Sequence, residues 1–306
     1  MNHVSSQIAA DDPLSDVLSL LQVRNLRCTR LEAGGAWGLS FTPQPLLKFV
    51  AVLRGSCWLR AGEVERALAA GDAFFLINAD GYAIGSAPGV PLDDGGQAFR
   101  ESDDGVVRLG GADTVLLGGS FVVANDDLSF LLEALPGFLM VAGENEGAAV
   151  LHHTLRILDA EMISPRIGHA AMTKHLADLL LLQALRTYAA AAGGDAQGWI
   201  GALADRHVGA ALSLMHAEVR RRWTVGELAA AAGLSRSNFA ARFRRRVGMP
   251  PLEYLLRWRM QRARLALRTG KPISRVAEEL GYGSESAFGF AFRRVFGESP
   301  GRFRTA

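Results

Sequence analysis

The spacing of apolar residues changes once along the chain, from a period of two to one near 3.6. Over about residues 14–125, short apolar runs recur at Leu47 to Leu53, Cys57 to Leu59, Ala73 to Ile77, Val106 to Leu109, Thr114 to Leu117 and Ser120 to Val123. Turn pieces such as Arg54-Gly55, Ala70-Gly71-Asp72 and Asp94-Gly95-Gly96 separate them. Many short strands at this spacing predict a small sandwich or barrel, with Asp11 to Leu21 a short helix leading into it. From about residue 127 the helical period takes over. Leu128, Leu131, Leu132 and Leu135 form one stripe, stopped by Pro136-Gly137, and residues 148–162 and 167–191 read as two longer helices. In the second of these, Met172, Leu176, Leu179, Leu182 and Leu185 share a face that Leu180 and Leu181 widen. Such a face must be buried, against its own domain or a partner subunit. Gly193 to Gly198 reads as a flexible linker, and Trp199 to Trp223 contains a further helix.

The last hundred residues repeat with a period of about 48 residues. Val225, Leu228-Ala229, Gly233, Phe239, Phe243, Val247 and Gly248 return as Ile273, Val276-Ala277, Gly281, Phe288, Phe292, Phe296 and Gly297. Each copy predicts a short amphipathic helix, a glycine turn and a second helix pinned by large apolar side chains. That is the plan of a helix-turn-helix. Thr224 with Glu227 fits a capping box, and Ser235 and Ser284 stand where N-caps of the second helices belong. Leu252 to Arg268 reads as one long connecting helix. It carries five arginines and an apolar stripe of Leu255, Leu256, Met260, Ala263 and Leu267. If both second helices face the same way, the connector lets them enter successive major grooves about 34 Å apart. The competing reading of the repeat is a pair of ordinary helical hairpins in an α-helical core.

Charge favours the first reading. The net +2 conceals a block, residues 206–306, with 20 basic side chains against 7 acidic ones, while residues 1–205 hold 13 against 24. Of those 20, 19 are arginine, whose guanidinium suits bidentate contact with phosphate or guanine. A basic block beside an acidic one points to a polyanion-binding domain joined to a domain with another task. Hydrophobic content of 49% and charged content of 21% are those of a soluble globular protein. Met1 to Pro13 is polar and acidic, so no signal peptide is expected. Leu176 to Leu185 is too short to span a bilayer. Cytoplasmic location follows as the expectation. Cys28 and Cys57 are the only cysteines, too few for a disulfide framework, and no Cys/His cluster has zinc spacing.

Residues 223–304 resemble the AraC/XylS transcription regulators. The likeness is carried by Trp223-Thr224-Val225, Leu228-Ala229, Gly233-Leu234-Ser235-Arg236, Phe239, Phe243, Gly248, Pro250, Tyr254-Leu255, Arg259-Met260, Ile273, Val276-Ala277, Gly281-Tyr282, Ser284-Glu285-Ser286, Phe288, Phe292, Phe296-Gly297 and Ser299-Pro300. Gly55-Ser56-Cys57-Trp58-Leu59 and Ala70-Gly71-Asp72 are similar to the cupin-type N-terminal domain of one branch of these regulators. Asp205 to Gly209, with Leu212 and Met215-His216, is similar to its lead-in to the DNA-binding domain. The resemblance implies an α+β protein with a cupin-like β-barrel sensing domain over residues 1–125 and a helical dimerisation segment over 126–197. An all-α AraC-type DNA-binding domain with two helix-turn-helix units follows over 198–306. It implies a sequence-specific DNA-binding transcription regulator, more an activator than a repressor. Double-stranded DNA, RNA polymerase and a second copy of the chain are its expected partners. A cupin-type ligand-binding protein or enzyme with a basic helical appendage is the competing class, and a measured steep fall of DNA affinity with salt would separate the two.

By the same resemblance, the first reading face comprises Ser235, Arg236, Ser237, Asn238, Ala240, Ala241, Arg244 and Arg245. The second comprises Ser284, Glu285, Ser286, Gly289, Phe290, Arg293 and Arg294. Arg236 and Asn238 suit bidentate contacts with guanine and adenine, whereas Arg244, Arg245, Arg293 and Arg294 suit phosphates. Gly289 and Phe290 stand where polar readers are common in the family, and Phe290 is either a thymine-methyl contact or a core residue. Related cupin domains often carry histidines on the strand before Gly55 and after Gly71-Asp72. Here the seven histidines (His3, His152, His153, His169, His175, His207 and His216) all lie outside the β-rich region, so no metal, cofactor or catalytic residue is expected. Three readings of the β-domain stay open. Cys28 and Cys57 sense oxidants, with Arg27 and Arg30 lowering the Cys28 pKa; a small-molecule effector occupies a pocket lined by Trp37, Phe49, Trp58 and Phe74; or the domain only dimerises.

Overall fold

Alternating apolar side chains build two facing sheets in the computed structural model, which describes residues 12–20, 23–43, 47–77, 81–123, 137–143, 148–192 and 198–305. The strands are β1 (Val23–Ala33), β2 (Gly38–Phe41), β3 (Leu47–Arg54), β4 (Ser56–Ala61), β5 (Val64–Ala69), β6 (Ala73–Ile77), β7 (Tyr82–Gly85), β8 (Asp93–Asp94), β9 (Val106–Leu109), β10 (Thr114–Val123) and β11 (Phe138–Val141). One sheet runs β11-β6-β3-β10-β1-β9 and the other β5-β4-β7-β2-β8. Pairing is antiparallel except for β1 with β9 and β2 with β8. The core lies between the sheets, where Leu31, Val50, Val52, Phe74, Leu76 and Leu116 of the first meet Leu39, Cys57, Leu59, Leu68 and Ile84 of the second. Burying a Leu, Ile or Phe side chain this fully stabilises the fold by about 1.5–3 kcal/mol each. The two runs Thr114 to Leu117 and Ser120 to Val123 form a single strand. Its Gly118-Gly119 step stays paired with Val50 and Phe49 of β3.

Helix α2 (Gly95–Glu101) replaces the turn expected at Asp94-Gly95-Gly96, because the Asp94 side chain accepts the Gln97 amide and caps it. Helices α3 (Ala148–Ile163) and α4 (His169–Ala192) complete this unit. Arg30 of β1 pairs with Asp159 of α3, and the His152 imidazole meets the Gly71 carbonyl. In α4 the buried positions are Thr173, Leu176, Ala177, Leu180, Leu181, Ala184, Leu185 and Thr187, while Met172 is exposed. The apolar face is thus rotated toward the Leu180-Leu181 pair. The stripe expected at Leu128 to Leu135 and most of the linker expected at Gly193 to Gly198 lie outside the described residues.

The second unit is all-α. It holds α1 (Pro13–Leu20), α5 (Gly198–Ala204), α6 (Arg206–Ala217), α7 (Val225–Ala231), α8 (Arg236–Val247), α9 (Pro251–Arg268), α10 (Ile273–Glu279), α11 (Glu285–Phe296) and α12 (Pro300–Thr305). The sequence pattern places α1 with the β-domain, but its Leu14 and Val17 are buried in the helical unit and its Asp16 bonds His216 of α6. His216 is 1% exposed and stacks on Trp258 with ring centroids 4.0 Å apart. Burial keeps its pKa below the usual histidine value despite the Asp16 carboxylate. The neutral ring therefore donates from Nδ1 to Asp16 and accepts at Nε2 from the Tyr254 hydroxyl, at 2.9 and 2.7 Å. The Trp199 indole N–H donates to the same hydroxyl. One buried chain of hydrogen bonds thus joins α1, α5, α6 and α9.

A buried acid performs the same task for α8. Asp205 caps α6 through the His207 and Val208 amides and pairs with Arg242 and Arg246 of α8. Burial would raise its pKa, but the Arg242 hydrogen bond and the two amides outweigh that and hold the carboxyl below its usual range.

This packing makes two expectations measurable. Gly248 and Gly281 have φ of +86° and +79°, but a Cβ on Gly248 meets nothing whereas one on Gly281 collides with the Arg220 carbonyl oxygen. Gly248→Ala should cost about 1 kcal/mol of strain. Gly281→Ala should cost clearly more by chemical denaturation, and equal losses would refute the steric account. Asp205→Asn, which keeps a capping oxygen but removes the charge, should destabilise by about 2 kcal/mol at pH 7. The depressed carboxyl contributes fully above its unfolded pKa and loses that contribution as pH falls through the folded value. The difference should therefore narrow only below about pH 4; a pH-independent gap would contradict the ion-pair origin.

Candidate nucleic-acid interface

Each copy of the repeat becomes a helical hairpin whose second helix exposes one face. In the first, Thr224 and Glu227 form the capping box of α7, the Thr224 amide donating to the Glu227 carboxylate at 2.8 Å. The Ser235 hydroxyl caps α8 by accepting the Asn238 amide. Phe239, Phe243 and Val247 are buried, while Arg236, Ser237, Asn238, Ala241, Arg244 and Arg245 point outward with Ser235, and Ala240 is half-buried. In the second, the Ser284 hydroxyl accepts the Ala287 amide and caps α11. Phe288, Ala291 and Phe292 are buried; Ser284, Glu285, Ser286, Phe290, Arg293 and Arg294 are exposed, and Gly289 is half-buried. Phe290 is 76% exposed, which removes the core alternative for this residue. The pinning pairs repeat in geometry: Phe239–Phe243 and Phe288–Phe292 both have ring centroids 5.7 Å apart at 58°.

The arginines of the basic block divide by environment. Arg242 and Arg246 serve Asp205. Arg259 of α9 donates to the Val219 and Arg221 carbonyls and hydrogen-bonds Tyr282, so it ties the lead-in of the first hairpin to the turn of the second. Arg264 lies over the rings of Phe296 and Phe303 at 4.8 and 4.6 Å. Arg236, Arg244, Arg245 and Arg293, by contrast, engage no carboxylate among the described residues, and Arg294 makes one exposed contact with Glu253. A helix face bearing unpaired guanidinium groups beside short polar side chains can meet phosphates and base edges together. The sequence shows the lead-in motif but not the role of Asp205. An acid one residue before an apolar helix is an N-cap signal, and its arginine partners are visible only in three dimensions.

The β-unit corrects several expectations. Trp37 and Phe74 are buried core residues, at 6% and 0% exposure, and do not border the main cavity of this unit. Trp58 is half-buried, donates its indole N–H to Glu65 and borders only a small cleft. Phe49 alone of the four borders the main cavity, of about 260 Å3, whose other aromatic walls are Phe41, Tyr82 and Phe99. Cys28 and Cys57 are both free and sit on different sheets. Burial pushes each thiol up to about 12, Asp72 adding to the effect at Cys57. The arginines expected to activate Cys28 are engaged elsewhere. Arg27 donates to the Phe99 carbonyl, and Arg30 is held by Glu32 and Asp159. Burial thus disfavours the Cys28 thiolate. Among the described residues no cluster of His, Cys, Asp or Glu is placed to hold a metal ion, and no helix is long and apolar enough to cross a membrane.

Comparison with known proteins agrees with this architecture. A cupin family model matches residues 12–190 and a helix-turn-helix domain model matches residues 228–306. An AraC-like transcription regulator of Streptomyces antibioticus is 39% identical over 297 residues, spanning 96% of this chain and 98% of that protein. One of Streptomyces lividans is 38% identical over the same shares. Among solved structures, the DNA-binding domain of AdpA, described as a global transcriptional factor in complex with a target DNA, is 31% identical. That match covers 33% of this chain and 91% of that one, with a TM-score of 0.31. With a cupin domain ahead of twin helix-turn-helix hairpins, and two relatives matched nearly end to end, this chain belongs to the AraC-like transcription regulators.

Proposed function

We propose that this regulator reads double-stranded DNA with both second helices and answers to a small-molecule effector in its β-unit. The observation that carries the reading is the repeated exposed face on α8 and α11, lined by guanidinium groups of which four engage no carboxylate among the described residues. On α8, Arg236 and Asn238 read guanine and adenine edges, and Ser235, Ser237, Ala240 and Ala241 complete the surface against the groove. Arg244 and Arg245 neutralise phosphates. On α11, Ser284, Glu285, Ser286 and Gly289 approach the groove, Phe290 packs on a thymine methyl, and Arg293 and Arg294 hold the backbone. Phe290 favours this assignment because its ring is solvated and costs free energy until something apolar covers it.

The effector reading rests on the main cavity of the β-unit, and the raised thiols favour it over oxidant sensing. Val150, Ile157, Ile163, Ile167 and Met172 of the α3–α4 region are exposed apolar residues that suit a homodimer contact. The protein acts in the cytoplasm as an activator that engages RNA polymerase, not as an enzyme; the regulator relatives support that choice.

Fluorescence anisotropy on an operator obtained by in vitro selection tests the interface. Arg236→Ala with Asn238→Ala should weaken operator binding by about 1–3 kcal/mol per base contact while leaving random DNA nearly unchanged. Arg244→Ala with Arg245→Ala should weaken both equally and flatten the dependence of log K on log salt by about 0.9 for each phosphate no longer neutralised. Equal losses on operator and random DNA for the first pair would remove Arg236 and Asn238 from the reading set. For Phe290, replacing thymine by uracil in the second half-site should cost as much as Phe290→Ala, with no further loss when the two are combined. Additive losses would exclude the methyl contact.

A further inference from the structure

Three cations and no carboxylate line the main cavity of the β-unit among the described residues. Lys48 of β3 is the inner one, half-buried, with its Nζ 5.6 Å from the ring centroids of both Phe41 and Tyr82. Burial holds its pKa below the ordinary lysine value. Arg27 and Arg100 are exposed at the rim. Two aromatic faces compensate an ammonium only weakly against the hydration it gives up. An anion that reaches Lys48 therefore gains more than it would at the surface, where water screens the pair.

The remaining wall selects the body of that anion. Phe41 stacks on Tyr82 with centroids 4.5 Å apart and 11° between planes, and Phe99 lies 6.3 Å from Phe41. Leu31, Ile84 and Leu116 add aliphatic surface, and Gly118-Gly119 contribute bare backbone. A volume of about 260 Å3 lies just below the usual range of ligand cavities, about 300–1,000 Å3, and so selects a small ligand. One inner cation matches one negative charge, and no acid lines the cavity to hold an amine.

We propose that this cavity binds a small organic carboxylate with an aromatic or short aliphatic body. Its carboxylate accepts from the Lys48 ammonium, and its body lies among Phe41, Tyr82 and Phe99. The proposal rests on the effector reading above and gives that site its ligand class.

The test uses the full chain and two matched probe series: 2-naphthoate, 2-naphthamide and 2-naphthylmethylamine; and octanoate, octanamide and octylamine. Thermal shift and calorimetry should show saturable binding of at least one carboxylate, with its amide and amine weaker by about tenfold or more. Lys48→Met should abolish that preference while leaving the melting temperature without ligand unchanged or higher, because the variant no longer buries a charge. Equal binding of amide and carboxylate, full carboxylate affinity in Lys48→Met, or no binding of either carboxylate would each overturn the proposal. Repeating operator binding with the probes separates it from the effector reading. A bound carboxylate that leaves operator affinity unchanged contradicts sensing alone, whereas a bound amide that shifts it contradicts the anion site alone.

Discussion

Burial of one face of α9 is the constraint on which the DNA-binding unit depends. Neither α7 nor α10 is long enough to persist as an isolated helix, and each hairpin has a narrow apolar face. Helix α9 supplies the missing surface to both. Tyr254 near its start meets Phe243 of the first hairpin edge to face, while Met260, Ala263 and Leu267 farther along enter the core of the second with Phe288 and Phe292. Arg259, between these groups, bonds the carbonyls ahead of α7 and the tyrosine after α10. The spacing of the two exposed faces is therefore set by one rigid element.

The same logic sorts the arginines. A net charge of +13 in the block (20 basic less 7 acidic side chains) overstates the number of groups free for nucleic acid, since several cations are committed to the fold. Those around Asp205, the backbone carbonyls and the Phe296–Phe303 rings hold elements together. Those on the solvent face of α8 and α11 have mainly water to lose. A charge count from sequence gives the sign of the partner, and the fold decides which charges meet it.

The hairpins were legible because their signals are local. A Phe at i and i+4, a glycine between helices and a serine cap each act within a few residues, so the repeat showed through without knowledge of the fold. Phe290 was legible in principle: two residues past Phe288 is about 200° around the helix, which points it away from the core. The place of α1 was not, because eight residues of helix carry no sign of which surface buries Leu14 and Val17, and Asp16 meets His216 across 200 positions. Strands β1 and β5 escaped for a related reason, since their mixed polar sequences take their order from neighbours, and β2 and β7 escaped because four residues are too few to show a period. The cysteines depend on surroundings in another way. Arginines near Cys28 in sequence suggested a lowered pKa, but burial pushes the thiol up, while Arg27 donates to a backbone carbonyl and Arg30 pairs with Glu32 and Asp159. Likewise the cavity gathered Lys48, Phe41, Tyr82 and Phe99 from separate elements, whereas the large aromatics most visible in sequence, Trp37 and Phe74, went to the core.

The central claim is that one chain presents two reading helices to one face of a duplex at a spacing fixed by α9. Hydroxyl-radical footprinting of the full protein on its selected operator measures this directly. The account predicts two protected patches per subunit, centred about one helical turn apart on the same face. A single patch, or two patches on opposite faces of the duplex, would contradict it.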